Sequence, residues 1–349
     1  MQPSRIWSIK DDHRLALSRP VIMGVVNCTP DSFYDGGRHA KPETALQHAL
    51  LLAAQGAAIL DVGGESTRPG SLPVCAEEEL ARVLPVIREL RTELTAQGVS
   101  RASAVHVSHS TPRSRDPAPV DRVARPEHEG AGQPAPDAVA KVVSKAVFGP
   151  ESGYADGGVV ISIDTSKAVV AAAGLEAGAA IVNDVSACRS DPELVDVLRQ
   201  YQPGYVLMHA QGKPETMQVA PVYANVVDEV CRFFDERMHH LVRSGLAESS
   251  IVLDPGIGFG KRLEHNLELL RNVDRLARMG RPILVGISHK SFWKGLLGLE
   301  LEDRGMVTQV ATALLATKGA AIHRVHDVAA SAQTLRVVEA LAGPEVSGC

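Results

Sequence analysis

Short, unbroken apolar runs punctuate this chain at 21–27, 57–63, 158–164, 179–184, 204–209, 251–256, 282–288 and 320–326. Each is continuous instead of alternating, which suits a parallel strand buried on both faces. Between them, 42–55, 76–97, 166–177, 191–201, 225–244, 264–279, 307–318 and 328–341 carry apolar residues at helical spacing. Eight strands alternating with eight helices predict an α/β fold, a (β/α)8 TIM barrel, as a single domain over 1–349. An open doubly wound sheet uses the same alternation. Closure is favoured because the count stops at eight and polar residues cluster after the strands. Ahead of the first run, "RIWSIKDDHRLALS" (5–18) predicts a short hairpin across the barrel bottom.

One region breaks the pattern. From about 98 to 157 no period survives, and seven of the 21 prolines fall between Pro112 and Pro150. Such a segment buries too little apolar surface to offset the entropy of ordering, so a disordered insertion is expected. It separates the second helix from the third strand, on the strand-N-terminal side, away from the usual active face of a barrel. His106, His109 and His128 within it read as solvated loop residues, with metal ligation the alternative. Only "ASAVHVS" (102–108) shows a local strand pattern.

Composition narrows the function classes. The chain is 45% hydrophobic and 22% charged, with a net charge of −5, ordinary values for a globular protein that give no basic footprint for nucleic acid. No run of about 20 apolar residues suggests a membrane span. The first ten residues lack the apolar core of a secretory signal. Five scattered cysteines without a CxxC pair read as reduced thiols, and a cytoplasmic location is expected.

In a barrel the residues that end the strands face the catalytic mouth. Here the strands end in Asn27 (with Asp35 further along its loop), in "GGESTRPG" with Thr67 and Arg68, and in Asp164, Asn183-Asp184, Met208-His209 and Asp254. The seventh ends in Ser288, His289, Lys290 and Ser291, and the eighth in Arg324 and His326. Taken singly, an Asp before a helix is as readily an N-cap, and Thr165 or Ser166 could cap the helix that follows Asp164. The joint pattern points to a site. Asp164, Asn183 and Asp254 suit the N–H-bearing edge of a flat heterocycle, because an ionised carboxylate accepts paired hydrogen bonds in one plane. Arg68, Arg324 and His326 suit a polyanion, and Asn27 offers an oxygen to a hard cation such as Mg²⁺. "DPGIGFGK" (254–261) is not a phosphate loop: a Walker motif ending at Lys261 needs Gly where Pro255 stands and Ser or Thr where Arg262 stands. It reads as a flexible wall whose Phe259 either lies against a flat ligand or simply packs.

The ordered motifs "GVVNCTPDSFYDGG", "DVGGESTRPG", "ISIDTSK", "IVNDVS", "LMHAQGKPETMQ", "LDPGIGFGK", "VGISHKS" and "RVHDV" resemble the dihydropteroate synthase family, the folate-pathway transferases that sulfonamides inhibit. They run from Gly24 to Val328, omitting only the insertion. The resemblance implies condensation of 6-hydroxymethyl-7,8-dihydropterin pyrophosphate with p-aminobenzoate, giving 7,8-dihydropteroate and pyrophosphate. It further implies a pterin pocket of Asp164, Asn183, Asp254 and Lys290, with Met208 a further substrate-binding residue, and an Mg²⁺–pyrophosphate contact at Asn27. The anion residues would be Arg68, Arg324 and His326. Thr67, Phe259, Ser288 and Ser291 would form the p-aminobenzoate side. Asp164, Lys290 and Asp35 are the expected catalytic residues, and a homodimer through late outer helices is expected. Departures are Cys28 for a frequent Val, Ile257 for a frequent Phe, and His289 for the usual Arg.

The implied mechanism is dissociative. Mg²⁺ and the cationic residues stabilise departing pyrophosphate, the pterin delocalises the methylene cation near Asp164, and the neutral arylamine attacks. Two rivals share the pterin pocket: a methyltransferase barrel with a corrinoid partner, and a catalytically silent pterin-binding protein. The "STRPG" and "SHKS" loops with the Arg324/His326 pair disfavour the first. Retention of every expected catalytic position disfavours the second.

Overall fold

The computed structural model describes residues 6–11, 13–29, 42–66, 71–96, 158–212 and 221–342. Asp35, Thr67, Arg68 and the 98–157 insertion with its histidines lie outside the described residues. Strands β1 (Ile6–Ser8) and β2 (Arg14–Ala16) form an antiparallel hairpin. Eight parallel strands follow: β3 (Val21–Asn27), β4 (Ile59–Gly63), β5 (Val160–Asp164), β6 (Ile181–Asp184), β7 (Gly204–Met208), β8 (Ile251–Asp254), β9 (Ile283–Val285) and β10 (Ala320–Val325). They close into a barrel in the order β10-β3-β4-β5-β6-β7-β8-β9. The expected TIM barrel is therefore what the chain forms.

Because side chains alternate across a strand, each apolar run feeds two cores. Ile22, Val26, Leu60, Val62, Ile161 and Ile163 pack outward against helices such as Pro42–Ala54, Ala76–Ala96 and Ala168–Ala177. Met23, Ile59, Ile181, Val206, Val252, Leu284 and Ile322 point inward and meet Trp7, Ile9, Leu15 and Leu17 of the hairpin. Trp7 is wholly buried, and its Nε1 donates to the Ser250 carbonyl at 2.7 Å. A Cβ at Gly204 would sit 2.8 Å from Ile9, so glycine at this position lets the hairpin seat. The expected plug at the barrel bottom is present.

Three local differences have physical causes. The stretch 264–279 splits into Leu263–Arg271 and Val273–Ala277, because Asn272 ends the first helix and turns its Nδ2 back onto the Glu268 carbonyl at 2.8 Å. The helix after β5 starts at Ala168, not at Ser166. Asp191 accepts from the Ala168 N–H at 2.7 Å, while Thr165 Oγ1 caps only the Lys167 N–H. A short helix, Phe292–Leu297, follows β9 with Ser291 at its N-cap; its six residues are too few to show a period, and only the family resemblance implied a helix starting at Ser291.

Candidate active site

Inward-facing strand ends enclose a cavity of about 350 Å³ at the C-terminal mouth of the barrel. Asn27, Asp164, Asn183, Met208, Asp254, Phe259, Ser288, Lys290, Ser291, Arg324 and His326 all line it. The structure thus brings together all the expected site residues that fall among the described ones. Asp184 is different: it faces the outer core, where its carboxylate accepts from the Ser186 and Cys188 N–H groups and the Tyr205 hydroxyl.

A cation between carboxylates forms the floor. Arg324 on β10 donates from Nε to Asp61 Oδ2 and from Nη2 to Asp164 Oδ2, both at 2.7 Å. Asn183 Nδ2 donates to the same Asp61 oxygen at 2.9 Å. Asp61 is fully buried, and its Oδ1 has no hydrogen-bond partner among the described residues. Burial pushes Asp164 up to about 7, the neighbouring Asp61 charge adds to this, and Arg324 opposes it. Burial also raises Asp254, against the Gly256 N–H that its Oδ1 accepts at 2.7 Å. Lys290 is pushed down to about 8, first by burial and then by Arg324. Its Nζ lies 4.1 Å from the centre of the Phe259 ring, a cation–π contact. At the rim, Ser288 Oγ is 3.0 Å from His326 Nδ1, and the His289 ring stacks on His326 at 4.5 Å.

The glycine loop is a fixed wall, not the flexible one expected. Gly256, Gly258 and Gly260 all take positive φ. Side chains at 256 and 260 would collide with the His209 and Gln211 carbonyls, at 1.9 and 2.2 Å. The Lys261 ammonium lies behind the loop, donating to the Gly256 and Phe259 carbonyls, each at 2.9 Å.

Three contributors escaped the sequence reading: Asp61, Lys261 and Arg304. Arg304 borders the cavity and donates to the His289 carbonyl at 2.9 Å. Asp61 carried a usable signal, a lone carboxylate in phase with Gly63 inside an apolar strand. Together the groups offer paired acceptors around a flat polar edge, buried cations beside them, and an aromatic wall.

The pterin binding enzyme family model matches residues 23–101 and 147–326. The dihydropteroate synthase of Escherichia coli K12 is 36% identical over 326 residues, 93% of each chain. A structure of Xanthomonas albilineans dihydropteroate synthase with 4-aminobenzoic acid aligns with a TM-score of 0.72 at 35% identity. It covers 97% of this chain and 99% of that one. The same enzyme with 7,8-dihydropteroate gives 0.70 at 34% identity, over 96% and 99%. With its closed barrel, its cation-centred pocket and this likeness over nearly its full length, the chain belongs to the dihydropteroate synthase family of pterin-binding enzymes.

Proposed function

We propose that this chain, acting as one barrel domain, joins 6-hydroxymethyl-7,8-dihydropterin pyrophosphate to p-aminobenzoate, forming 7,8-dihydropteroate and releasing pyrophosphate. The observation that carries the reading is Arg324 held between Asp61 and Asp164 at the floor of a pocket that Asn183, Asp254 and Lys290 also line. Asp164, Asn183 and Asp254 present acceptors to the pterin ring, and Lys290 donates to it. The C–O bond to pyrophosphate breaks with its electron pair leaving on oxygen. Asp164 places negative charge by the methylene cation that remains. The arylamine lone pair then forms the C–N bond, and the cationic nitrogen passes one N–H proton to solvent water or the released pyrophosphate. Arg324 supplies positive charge toward the leaving group and His326 a ring nitrogen beside it; by the resemblance, Arg68 is assigned to the same anion and Asp35 to the catalytic set. Thr67, Phe259, Ser288 and Ser291 border the second substrate.

Mg²⁺ fits this mouth in a limited way. Among the described residues no group of three His, Cys, Asp or Glu could hold a metal, but a half-buried Asn27 lines the cavity. One neutral protein oxygen suits an ion that keeps its waters and takes substrate phosphate oxygens. Asn27 would hold it, and when bound it supplies charge neutralisation for the departing pyrophosphate.

Two further readings complete the proposal. Met306, Val310 and Leu314 lie at i, i+4 and i+8 on helix Gly305–Thr317 and are 82%, 56% and 59% exposed. Such an apolar stripe supports a homodimer through the late helices. Cys28, Cys75, Cys188 and Cys231 are free, which supports a reducing, cytoplasmic setting.

Pyrophosphate release from the pterin substrate, measured with and without p-aminobenzoate, tests the reaction. Release coupled to the arylamine is expected. Tight pterin binding without release would overturn it.

A further inference from the structure

Lys261 is 3% exposed, does not line the cavity, and has no carboxylate within hydrogen-bonding distance among the described residues. Its Nζ is instead ringed by acceptors: His209 Nδ1 at 3.0 Å, the His209 carbonyl at 3.2 Å, and the Gly256 and Phe259 carbonyls at 2.9 Å. His209 is pushed down to about 2 by burial and then by the Lys261 charge, so its neutral Nδ1 serves as an acceptor. The ammonium thus ties two segments together, the exit of β7 and the glycine loop after β8. Their backbones already touch at Gly256 and Gly260. The far half of the loop has separate anchors. Asn266 Oδ1 accepts from the Gly258 N–H, and the Tyr223 hydroxyl donates to the Gly260 carbonyl. Phe259, the residue whose carbonyl Lys261 holds, is the one that puts a ring into the cavity.

We infer that Lys261 is a positioning residue for the second substrate: from behind the glycine loop its ammonium fixes the Gly256 and Phe259 carbonyls and so sets the Phe259 ring as a wall of the p-aminobenzoate side. The inference rests on the proposed condensation. A lysine meets the requirement because its single head group carries several donors to buried carbonyls at once; burial pushes it down to about 7, and the Asp254 charge opposes that shift. Removing it leaves those carbonyls unpaired away from water, and the loop must move to rehydrate them.

Lys261→Met, Lys261→Gln, Phe259→Ala and the Lys261→Gln/Phe259→Ala double variant test this by steady-state kinetics on each substrate separately. Lys261→Met is expected to raise KM for p-aminobenzoate about tenfold, the scale of one lost buried hydrogen bond. Gln, with two N–H donors, should recover part of the effect. KM for the pterin substrate should move by less than about threefold, and the double variant should match Phe259→Ala alone, because residues acting through one another are not additive. Equal losses on both substrates, or additive effects in the double variant, overturn the inference. So does loss of folded protein in both Lys261 variants, which would make the lysine purely structural. A Phe259→Ala enzyme with unchanged KM for p-aminobenzoate removes the wall and the inference with it. Arylamine-coupled pyrophosphate release would still stand as the separate test of the reaction.

Discussion

Asp61 shows how one buried charge sets the behaviour of its neighbours. It shares Arg324 with Asp164 and lies close enough for its charge to raise that residue. An acid whose folded value lies above its unfolded one favours the fold while protonated, so the fold loses stability as pH rises from about 4 to about 7. Activity has the opposite sign in the proposed reaction, which uses an ionised Asp164 beside the cation. Asp61→Asn removes the like charge and leaves Arg324 to Asp164. The acid limb of kcat/KM for the pterin substrate should therefore move to lower pH, and an unmoved limb would show that Asp61 does not act on Asp164. Asp61 was hard to see in the sequence because reading strand ends selects the last residue of each run. Asp61 lies two residues earlier, where a carboxylate resembles an interruption of the core. Asp164 and Asp254 stood at the ends and were legible. Lys261 was quoted in a motif, but its direction behind the loop depends on the backbone turns at Gly256 and Gly260, which composition alone does not reveal.

At the level of elements, the eight barrel strands could be read because burial on both faces leaves runs that nothing polar interrupts until the mouth. The helices followed from their spacing down to the Asn272 break, which only the side-chain turn onto Glu268 explains. The six residues of Phe292–Leu297 hold fewer than two turns, too short for a face to emerge. The hairpin was foreseen as a closure of the barrel bottom, and its energetics follow from that position. Trp7→Ala should remove roughly 3–5 kcal/mol of stability, by analogy with other buried aromatic truncations. Since the plug lies at the end opposite the cavity, KM for both substrates should stay within about twofold, the additivity expected of distant sites. Urea unfolding alongside steady-state kinetics would check this. A large KM change would mean that the plug and mouth are coupled.

On the scale of the whole molecule, function divides between ends and sides. The bottom is sealed, and Leu94, Thr95 and Gly158, which flank the inserted segment, border a small cleft there with Lys10 and Arg14 of the hairpin. The described flanks of the insertion thus lie opposite the mouth. The side formed by Gly305–Thr317 and Val328–Ala342 carries the exposed stripe, with Val337 and Leu341 57% and 83% exposed on the second helix. Leu314→Glu should convert a dimer to a monomer in sedimentation equilibrium with the fold intact. A wild-type chain that sediments as a monomer would remove this proposal.

Barrel closure also has a temporal side. Arg324 stands 263 residues after Asp61 and 160 after Asp164, on the strand that pairs with β3 to complete the ring. A ribosome delivers both carboxylates long before it delivers their cation. A nascent chain that lacks β10 therefore has both acids without the guanidinium that pairs with them, and burying like charges is costly. When β10 arrives, the seam closes and the charges are balanced in the same step.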